Sequence, residues 1–353
     1  LHPVAHSFPT RRSSDLVGKG QPCFVIAEIA QAHDGSLGAA HAYIDAVAGT
    51  GADAIKFQTH IAEAESSPGE PFRVRFSYQD KTRFDYWKRM EFSREQWNLL
   101  AEHARDRGLI FLSSPFSETA LSLLEEIGMP AWKVASGEIA TKRMLEMMAM
   151  TGKPLLLSTG MASWRQVDET TSWFQEWGAP FALFQCTTAY PCPPESWGLN
   201  VMEELRFRYT CPVGFSDHSG GITAGLAAVA SGADMLEVHV AFSRDCFGPD
   251  VPASITVSEM QQLVAGIRDI ERALQHPVDK EAHAVKLADS LLLFSKSIVA
   301  ARDLNVGTCL TSADVTFKKP GTGIPAKDYE LILGRAVKRS ISEGEFILEK
   351  DLA

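Results

Sequence analysis

Two histidines stand at the ends of neighbouring apolar segments, where a metal ion could use them. His218 closes the segment that starts at Val213, and His239 closes the segment that starts at Met235. Two imidazoles with open coordination positions suit a divalent transition metal that water and substrate complete. Two hydrogen-bonded histidines without a metal would give the same sequence, so the spacing alone leaves both interpretations open.

Two lysines lie inside apolar segments and therefore require a partner of opposite charge. Lys56 and Lys133 are each flanked by hydrophobic residues, and charged side chains are rarely buried unpaired. A phosphate clamp, a Schiff-base lysine or an ion pair with a structural carboxylate would each satisfy this requirement. Hydroxyl groups near other segment ends favour the phosphate clamp. They belong to Ser114, Ser136, Ser158 and Ser216.

Two glutamates and a tyrosine complete the set of candidate site residues. Glu28 and Glu138 follow apolar segments, where each could act as a general acid or base, bind sugar hydroxyls, or form an ion pair with one of the lysines. Tyr190 lies beyond the sixth segment, just before a proline. It could close over a ligand or serve only in packing.

Eight short apolar segments must position these residues, and each of them ends in a polar cluster. Their near-continuous hydrophobicity is typical of parallel strands buried on both faces. Helical patterns fill the gaps, including 37–49 and 258–275. Eight such units predict an α/β fold, a (β/α)8 TIM barrel, whose active site lies at the carboxyl ends of the strands. The eight segments are 24–28, 54–58, 109–114, 132–136, 154–158, 181–185, 213–218 and 235–239.

The segment 61–90 interrupts this rhythm and is rich in charged and aromatic residues. Long loops of this kind are usually functional, so we expect it to lie over the barrel mouth. Packing of its aromatic side chains in a subunit interface is an equal alternative.

Composition limits the possible partners and compartments. The 353 residues carry a net charge of −10, which argues against nucleic acid and anionic lipid as partners. No apolar run approaches the roughly 20 residues of a membrane span. Six cysteines show no C-x-x-C spacing, which favours a reduced cytoplasm and argues against structural zinc.

The domain organisation predicted from the sequence has four parts. Residues 1–16 lack the apolar core of a signal peptide and resemble a translated sequencing adapter, so we expect a non-native, disordered tail. The barrel is expected over 17–278, and a charged helical linker over 279–293. Short strands between glycine-rich turns then predict a small β-rich domain over 294–353.

Taken together, these motifs resemble those of the sialic acid synthase family, and the resemblance covers residue 17 to the end. The C-terminal segment, including 319–324, is similar to that family's antifreeze-like (SAF) domain. The motifs that carry the resemblance are IAEI at 26–29 with HDG at 33–35, KFQ at 56–58, KVASGE at 133–138, STGM at 158–161, GFSDH at 214–218 and GPD at 248–250.

The resemblance implies condensation of phosphoenolpyruvate with an open-chain N-acyl-mannosamine, which gives a nine-carbon 2-keto acid and phosphate. It also implies a divalent cation, Mn²⁺ or Mg²⁺, held by His218 and His239. Glu28 would lie by the reacting carbons. Phosphoenolpyruvate would be held by Lys56, Lys133, Ser136, Ser158 and Ser216, with Ser114 added from its position; the sugar would be held by Gln58, Glu138, Tyr190 and Asp250.

The resemblance further implies a domain-swapped homodimer in which an arginine of the SAF domain reaches the sugar's N-acyl group. Lys319 stands at that position here, and an ammonium does not reproduce a guanidinium fork. Ala32, Val238 and Val251 also depart from common family residues. The sugar side has thus drifted, so a diacetamido-hexose that leads to a legionaminic- or pseudaminic-type acid is an alternative substrate.

Two other classes of function fit parts of this sequence pattern. A Schiff-base pyruvate aldolase would use a barrel and a lysine but needs neither metal nor phosphate clamp. A non-enzymatic carbohydrate- or partner-binding protein would not need the strand-end residues, which makes it the weaker explanation.

Overall fold

A computed structural model describes residues 17–18, 20–72 and 75–353. Its contacts divide the chain after Gln275 into two units, and each is described by itself. The expected tail over 1–16 lies outside the described residues. The second unit begins at His276 and so includes the segment expected as a linker.

The first unit is a nearly closed barrel of eight parallel strands, which confirms the predicted fold class. The sheet runs in the order β3-β2-β1-β8-β7-β6-β5-β4, and β3 packs beside β4. A short strand β9 (Ile255–Thr256) pairs with β8. The barrel strands are β1 Phe24–Ala30, β2 Ala54–Thr59, β3 Ile110–Pro115, β4 Trp132–Val134, β5 Leu155–Ser158, β6 Phe181–Cys186, β7 Val213–Asp217 and β8 Met235–Ala241.

Helices connect the strands and cover the outside of the barrel. Side-chain oxygens begin several of them: Ser36 accepts from the Ala39 amide at 3.2 Å, as an N-cap should. The helices predicted over 37–49 and 258–275 are confirmed as α1 and α10. Among its described residues, the first unit has the helices α1 Leu37–Ala48, α2 Ala62–Glu65, α3 Arg83–Met90, α4 Arg94–Asp106, α5 Glu118–Ile127, α6 Lys142–Met150, α7 Trp164–Glu176, α8 Leu199–Tyr209, α9 Thr223–Ala230 and α10 Val257–Gln275.

The barrel packs in two layers of apolar side chains. The larger cluster lies between strands and helices and includes Ile55, Leu100 and Leu236. The smaller cluster includes Ile26 and Phe184. Strand residues alternate between these two clusters because successive side chains point to opposite faces. The polar strand ends are thereby held on a rigid frame.

The segment 61–90 contains helical structure that the sequence interpretation missed. Thr82 caps α3 and forms a capping box with Asp85, while Tyr86, Trp87 and Met90 are buried at helical spacing. The expectation of a continuous loop was therefore wrong for α2 (Ala62–Glu65) and α3 (Arg83–Met90). Charged residues at most other positions of α3 hide its short apolar stripe.

The second unit combines three short helices with a small β-rich core. Its elements are α11 Lys280–Lys286, α12 Ala288–Phe294, β10 Ser297–Ala300, β11 Val315–Lys318 and α13 Tyr329–Ile332. Strands β10 and β11 pair antiparallel, and Ile298, Leu310 and Ile347 are among the residues of its core. Throughout the described parts of both units, every helix is too short or too polar to cross a bilayer.

Candidate active site

A cavity of about 750 Å³ opens at the carboxyl ends of the barrel strands. This is the edge where the fold places catalytic groups. Every site residue predicted for the first unit lines this cavity, although these residues are spread along the chain from Glu28 to Asp250. They are Glu28, Lys56, Gln58, Ser114, Lys133, Ser136, Glu138, Ser158, Tyr190, Ser216, His218, His239 and Asp250.

Two lysines and two glutamates form a buried charged cluster at the base of the cavity. Lys56 forms an ion pair with Glu28 and lies 3.9 Å from Glu237. Lys133 lies 3.5 Å from Glu237 and donates to the Ser158 hydroxyl at 2.5 Å. Both lysines thus have carboxylate partners, which is one of the alternatives that the sequence left open. All four charged side chains are less than 6% exposed.

Glu237 is a site residue that sequence reasoning missed. It precedes His239 by two positions on β8, and residues two apart share one face of a strand. That spacing was a usable signal, because the face was already assigned to the cavity through His239.

The charged cluster sets the proton affinities of its members. Burial raises the pKa of Glu28 to about 7, against the opposing pull of Lys56. Burial alone would also raise the pKa of Glu237, but Lys133 and Lys56 hold it below its ordinary value. Burial would lower the pKa of Lys56, yet Glu237 and Glu28 outweigh it and raise that pKa. Lys56 is therefore held as an ammonium, while Glu28 can exchange a proton near neutral pH.

The four predicted serines line the same cavity as the two ammonium groups. Ser216 donates to Glu237 at 3.2 Å, and Ser136 accepts from the Gly160 amide at 3.1 Å. Ser114 is buried and faces the same cavity. Hydroxyls and ammonium groups that converge in this way are ligands for phosphate and carboxylate oxygens.

The two histidines lie side by side with their ring centres 5.3 Å apart. His218 Nδ1 lies 2.8 Å from the Thr187 carbonyl oxygen and Nε2 lies 3.1 Å from the Tyr190 hydroxyl. Nδ1 of His239 has no hydrogen-bond partner among the described residues. Burial lowers the pKa of both imidazoles, so both are neutral and present lone pairs.

Neutral, oriented imidazoles are suitable metal ligands. Within 17–18, 20–72 and 75–353, no group of three or more His, Cys, Asp or Glu side chains could hold a metal ion. The two neutral imidazoles, with Nδ1 of His239 unpaired among the described residues, fit a cation whose other ligands are water or substrate. The metal itself stays a prediction.

Further polar groups in the lining of the cavity suit a sugar. The Gln58 amide donates to Glu28 Oε1 at 3.2 Å, and its oxygen lies 3.3 Å from His60 Nε2. Glu138 accepts from the Thr141 hydroxyl. Burial raises the pKa of Asp250 to about 6. The cavity lining thus offers hydrogen-bond donors and acceptors to the hydroxyl groups of a sugar.

An aromatic wall, formed by Phe72, Phe76 and Tyr86, closes one side of the cavity. Phe76 packs edge-on against Tyr86 with ring centres 4.9 Å apart, and Phe72 lies 5.1 Å from Phe76. The prediction that the segment 61–90 reaches the barrel mouth is confirmed for these residues. Gln31 and Arg83 also line the cavity, and neither was identified from the sequence.

Lys319 is a predicted site residue that the first unit does not contain. It belongs to the second unit, where its ammonium lies 5.0 Å from the centre of the Phe294 ring. Its sugar contact stays a prediction.

Comparison with known families agrees with the fold and the cavity. The NeuB family model matches residues 43–279, and the SAF domain model matches residues 295–353. The chain belongs to the NeuB family. The resemblance inferred from the motifs is thereby confirmed, as is the C-terminal SAF domain.

Relatives within the NeuB family are named as synthases of different nonulosonic acids. The chain is 34% identical to human N-acetylneuraminate-9-phosphate synthase, covering 95% of this chain and 94% of that one. It is 32% identical to N,N'-diacetyllegionaminic acid synthase of Campylobacter jejuni, covering 92% and 98%. The crystal structure of N-acetylneuraminic acid synthetase from Leptospira borgpetersenii, in complex with citrate, superposes with a TM-score of 0.69, 32% identity and coverage of 78% and 94%.

Proposed function

We propose that this protein condenses phosphoenolpyruvate with an open-chain N-acyl amino sugar to give a nonulosonic acid and inorganic phosphate. The observation that carries this proposal is one cavity whose lining combines two ammonium groups, four serines and two neutral imidazoles. Membership of a family of synthases supports the same reaction class.

Lys56, Lys133 and the serines bind the phosphate and carboxylate of phosphoenolpyruvate in this proposal. The ammonium groups of Lys56 and Lys133 attract the anion through their positive charge. Binding in a buried site removes water from the enol carbon, which limits side reactions.

Glu28 exchanges the proton of the reaction. Carbon 3 of phosphoenolpyruvate attacks the aldehyde carbon of the sugar, and water adds to the electron-poor carbon 2. Glu28, as the carboxylate, accepts a proton from that water and passes it to the alkoxide formed from the aldehyde oxygen. The new carbon 2 hydroxyl then gives its proton to the departing phosphate as the carbon–oxygen bond to phosphate breaks and the ketone forms. A pKa near 7 suits a carboxyl group that must take up and release a proton at neutral pH. Gln58 holds this carboxylate through its amide.

We propose that His218 and His239 hold Mn²⁺ or Mg²⁺ beside the aldehyde. When bound there, the cation supplies Lewis acidity to the aldehyde oxygen. The contact between His218 and the Thr187 carbonyl fixes the ring that would carry the ligand atom.

Gln58, Glu138, Tyr190 and Asp250 bind the sugar in this proposal. N-acetylmannosamine is the first candidate, and a 2,4-diacetamido-hexose is the second. The second is included because relatives of similar identity are named as legionaminic acid and N-acetylneuraminate-type synthases.

The Schiff-base alternative is disfavoured by the charges around the lysines. A lysine nucleophile must be a free amine, whereas the carboxylates beside Lys56 raise its pKa. Borohydride trapping of pyruvate on either lysine would reverse this judgement.

The proposal extends to the assembly of the protein and its location in the cell. We expect a cytoplasmic homodimer, with the SAF domain of one subunit over the barrel of the other and Lys319 at the sugar. Exposed apolar side chains on α12, Leu291 to Phe294, support an interface there, and six free cysteines suit a reducing compartment. Light scattering coupled to gel filtration tests the dimer.

Phosphate release from phosphoenolpyruvate tests the function directly. The assay contains Mn²⁺ and either N-acetylmannosamine or a 2,4-diacetamido-hexose. We expect sugar-dependent release that His218→Ala abolishes and His41→Ala, outside the cavity, retains. Absence of release with both sugars would refute the proposal.

A further inference from the structure

Gln31 places an unpaired carboxamide in the wall of the active-site cavity. It follows β1, lines the cavity and is only 3% exposed. Neither its Oε1 nor its Nε2 has a hydrogen-bond partner among the described residues. A buried amide with both ends unpaired is unusual, because each polar atom has lost its hydration without compensation. The side chain is therefore poised for a ligand that both donates and accepts.

The loop that carries Gln31 is fastened to the helix that carries part of the aromatic wall. Arg89 on α3 donates to the Asp34 carbonyl oxygen at 3.0 Å and to its carboxylate at 2.7 Å. The same guanidinium lies 5.4 Å from the ring centre of Tyr86. His33 packs against Phe92 with ring centres 4.8 Å apart. Gln31 and Tyr86, which both line the cavity, are thus carried by segments that are bonded to each other.

This side of the cavity combines one carboxamide with an apolar surface. A sugar hydroxyl could pair with Gln31 but would leave Phe72, Phe76 and Tyr86 without an apolar partner. An N-acyl group satisfies both parts. Its N–H and C=O match the acceptor and donors of Gln31, and its methyl group can cover the aromatic wall.

We propose that Gln31 recognises the N-acyl group of the sugar substrate. Oε1 accepts the acylamino N–H, Nε2 donates to the acyl carbonyl, and the acyl methyl packs on the aromatic wall. The inference rests on the proposed function and adds to it the residue that selects acylated over hydroxylated sugars. A site built to hydrogen-bond one substrate group discriminates against analogues that lack it, because its own polar atoms then stay unpaired.

Gln31→Met tests this role because it keeps the length of the side chain and removes both polar atoms. Gln185→Met is the matched control: Gln185 is also buried, but its Nε2 donates to the Trp197 carbonyl at 3.1 Å and it lies outside the cavity lining. Each variant is assayed by phosphate release with N-acetylmannosamine, a 2,4-diacetamido-hexose and mannose, which lacks the acylamino group. Thermal unfolding is measured alongside.

For Gln31→Met we expect a rise of roughly tenfold in KM for the acylated sugar, with kcat and the KM for phosphoenolpyruvate little changed. Its kcat/KM ratio of acylated sugar to mannose should fall by a similar factor. Its unfolding temperature should equal or exceed that of the wild type, because an unpaired buried amide has been removed. Gln185→Met should unfold at a lower temperature and keep the wild-type ratio.

An unchanged substrate ratio in Gln31→Met would overturn the inference while leaving the proposed function intact. A lower unfolding temperature or failure to fold would show that Gln31 has structural partners, and would overturn it as well. No phosphate release by the wild type with any of the sugars would instead refute the proposed function, and the inference with it.

Discussion

The Tyr190 hydroxyl lies 3.1 Å from Nε2 of His218, and the two rings stack with centres 4.2 Å apart. The other imidazole nitrogen, Nδ1, faces the Thr187 carbonyl oxygen, which can only accept a hydrogen bond. Nδ1 therefore carries the proton, and the lone pair of Nε2 accepts from the tyrosine. The nitrogen proposed to bind a cation is thus paired with a phenol that the cation would replace.

This pairing predicts opposite effects for two variants. Tyr190→Phe should bind Mn²⁺ at least as tightly as the wild type, because it removes a competing hydrogen bond. His218→Ala should weaken Mn²⁺ binding by roughly tenfold or more, since it removes a ligand. Electron paramagnetic resonance of free Mn²⁺ measures both. Weaker binding by Tyr190→Phe would show that the hydroxyl supports the cation rather than competing with it.

The pairing of Glu237 with both lysines predicts how the cavity responds to anions. Glu237 acts as an internal counter-ion, so Glu237→Gln should unfold about 3 kcal/mol more easily, with two ammonium groups left under-compensated. Inorganic phosphate should then raise its unfolding temperature more than that of the wild type. Lys133→Met should lose most of the phosphate response.

Thermal unfolding with and without phosphate measures these shifts, and Lys350→Met, an exposed lysine of the second unit, is the control. An equal response in the wild type and Lys133→Met would place the phosphate elsewhere.

Much of the barrel and its site could be predicted from the sequence for a simple physical reason. Parallel strands buried on both faces read as continuous apolar runs, and their polar ends must converge once the sheet closes. Lys56 and His239 could thus be assigned to one cavity without coordinates. Which charges pair could not be assigned, because the Glu28–Lys56 contact depends on the register of β1 against β2.

Two other features depend on tertiary structure alone. Gln31 is distinctive because its amide lacks partners among the described residues, and no local pattern encodes a missing contact. The helix α3 escaped notice because its buried Tyr86 and Trp87 lie among charged residues, so that packing rather than amphipathic pattern defines it.

The buried carboxyl of Asp250 predicts a pH-dependent difference in stability. Burial raises its pKa from 3.8 to about 6 in the folded state. Between these values the folded protein binds more protons than the unfolded chain, so this group's contribution to stability is lost as the pH rises from about 4 to 6. Asp250→Asn has no carboxyl group to ionise, so its stability does not include this pH-dependent loss. Its free energy of unfolding relative to the wild type should therefore increase by about 1–2 kcal/mol between pH 4.5 and pH 8.

Urea unfolding of both proteins at the two pH values measures this difference, and other titrating groups cancel in the comparison. A difference that does not change with pH would mean that Asp250 stays hydrated in the folded protein.

The contact of Gly35 with α3 predicts that a single methyl group can disturb the aromatic wall. Gly35 has a φ of +77°, and an added Cβ would overlap the Arg89 carbonyl oxygen. Gly35→Ala should therefore lower the free energy of unfolding by about 2–3 kcal/mol. Because α3 carries Tyr86, the KM for the sugar should rise more than the KM for phosphoenolpyruvate. Gly69→Ala, whose Cβ would meet open space, should stay within about 0.5 kcal/mol of the wild type. Equal rises in both KM values would instead indicate general loosening of the barrel mouth.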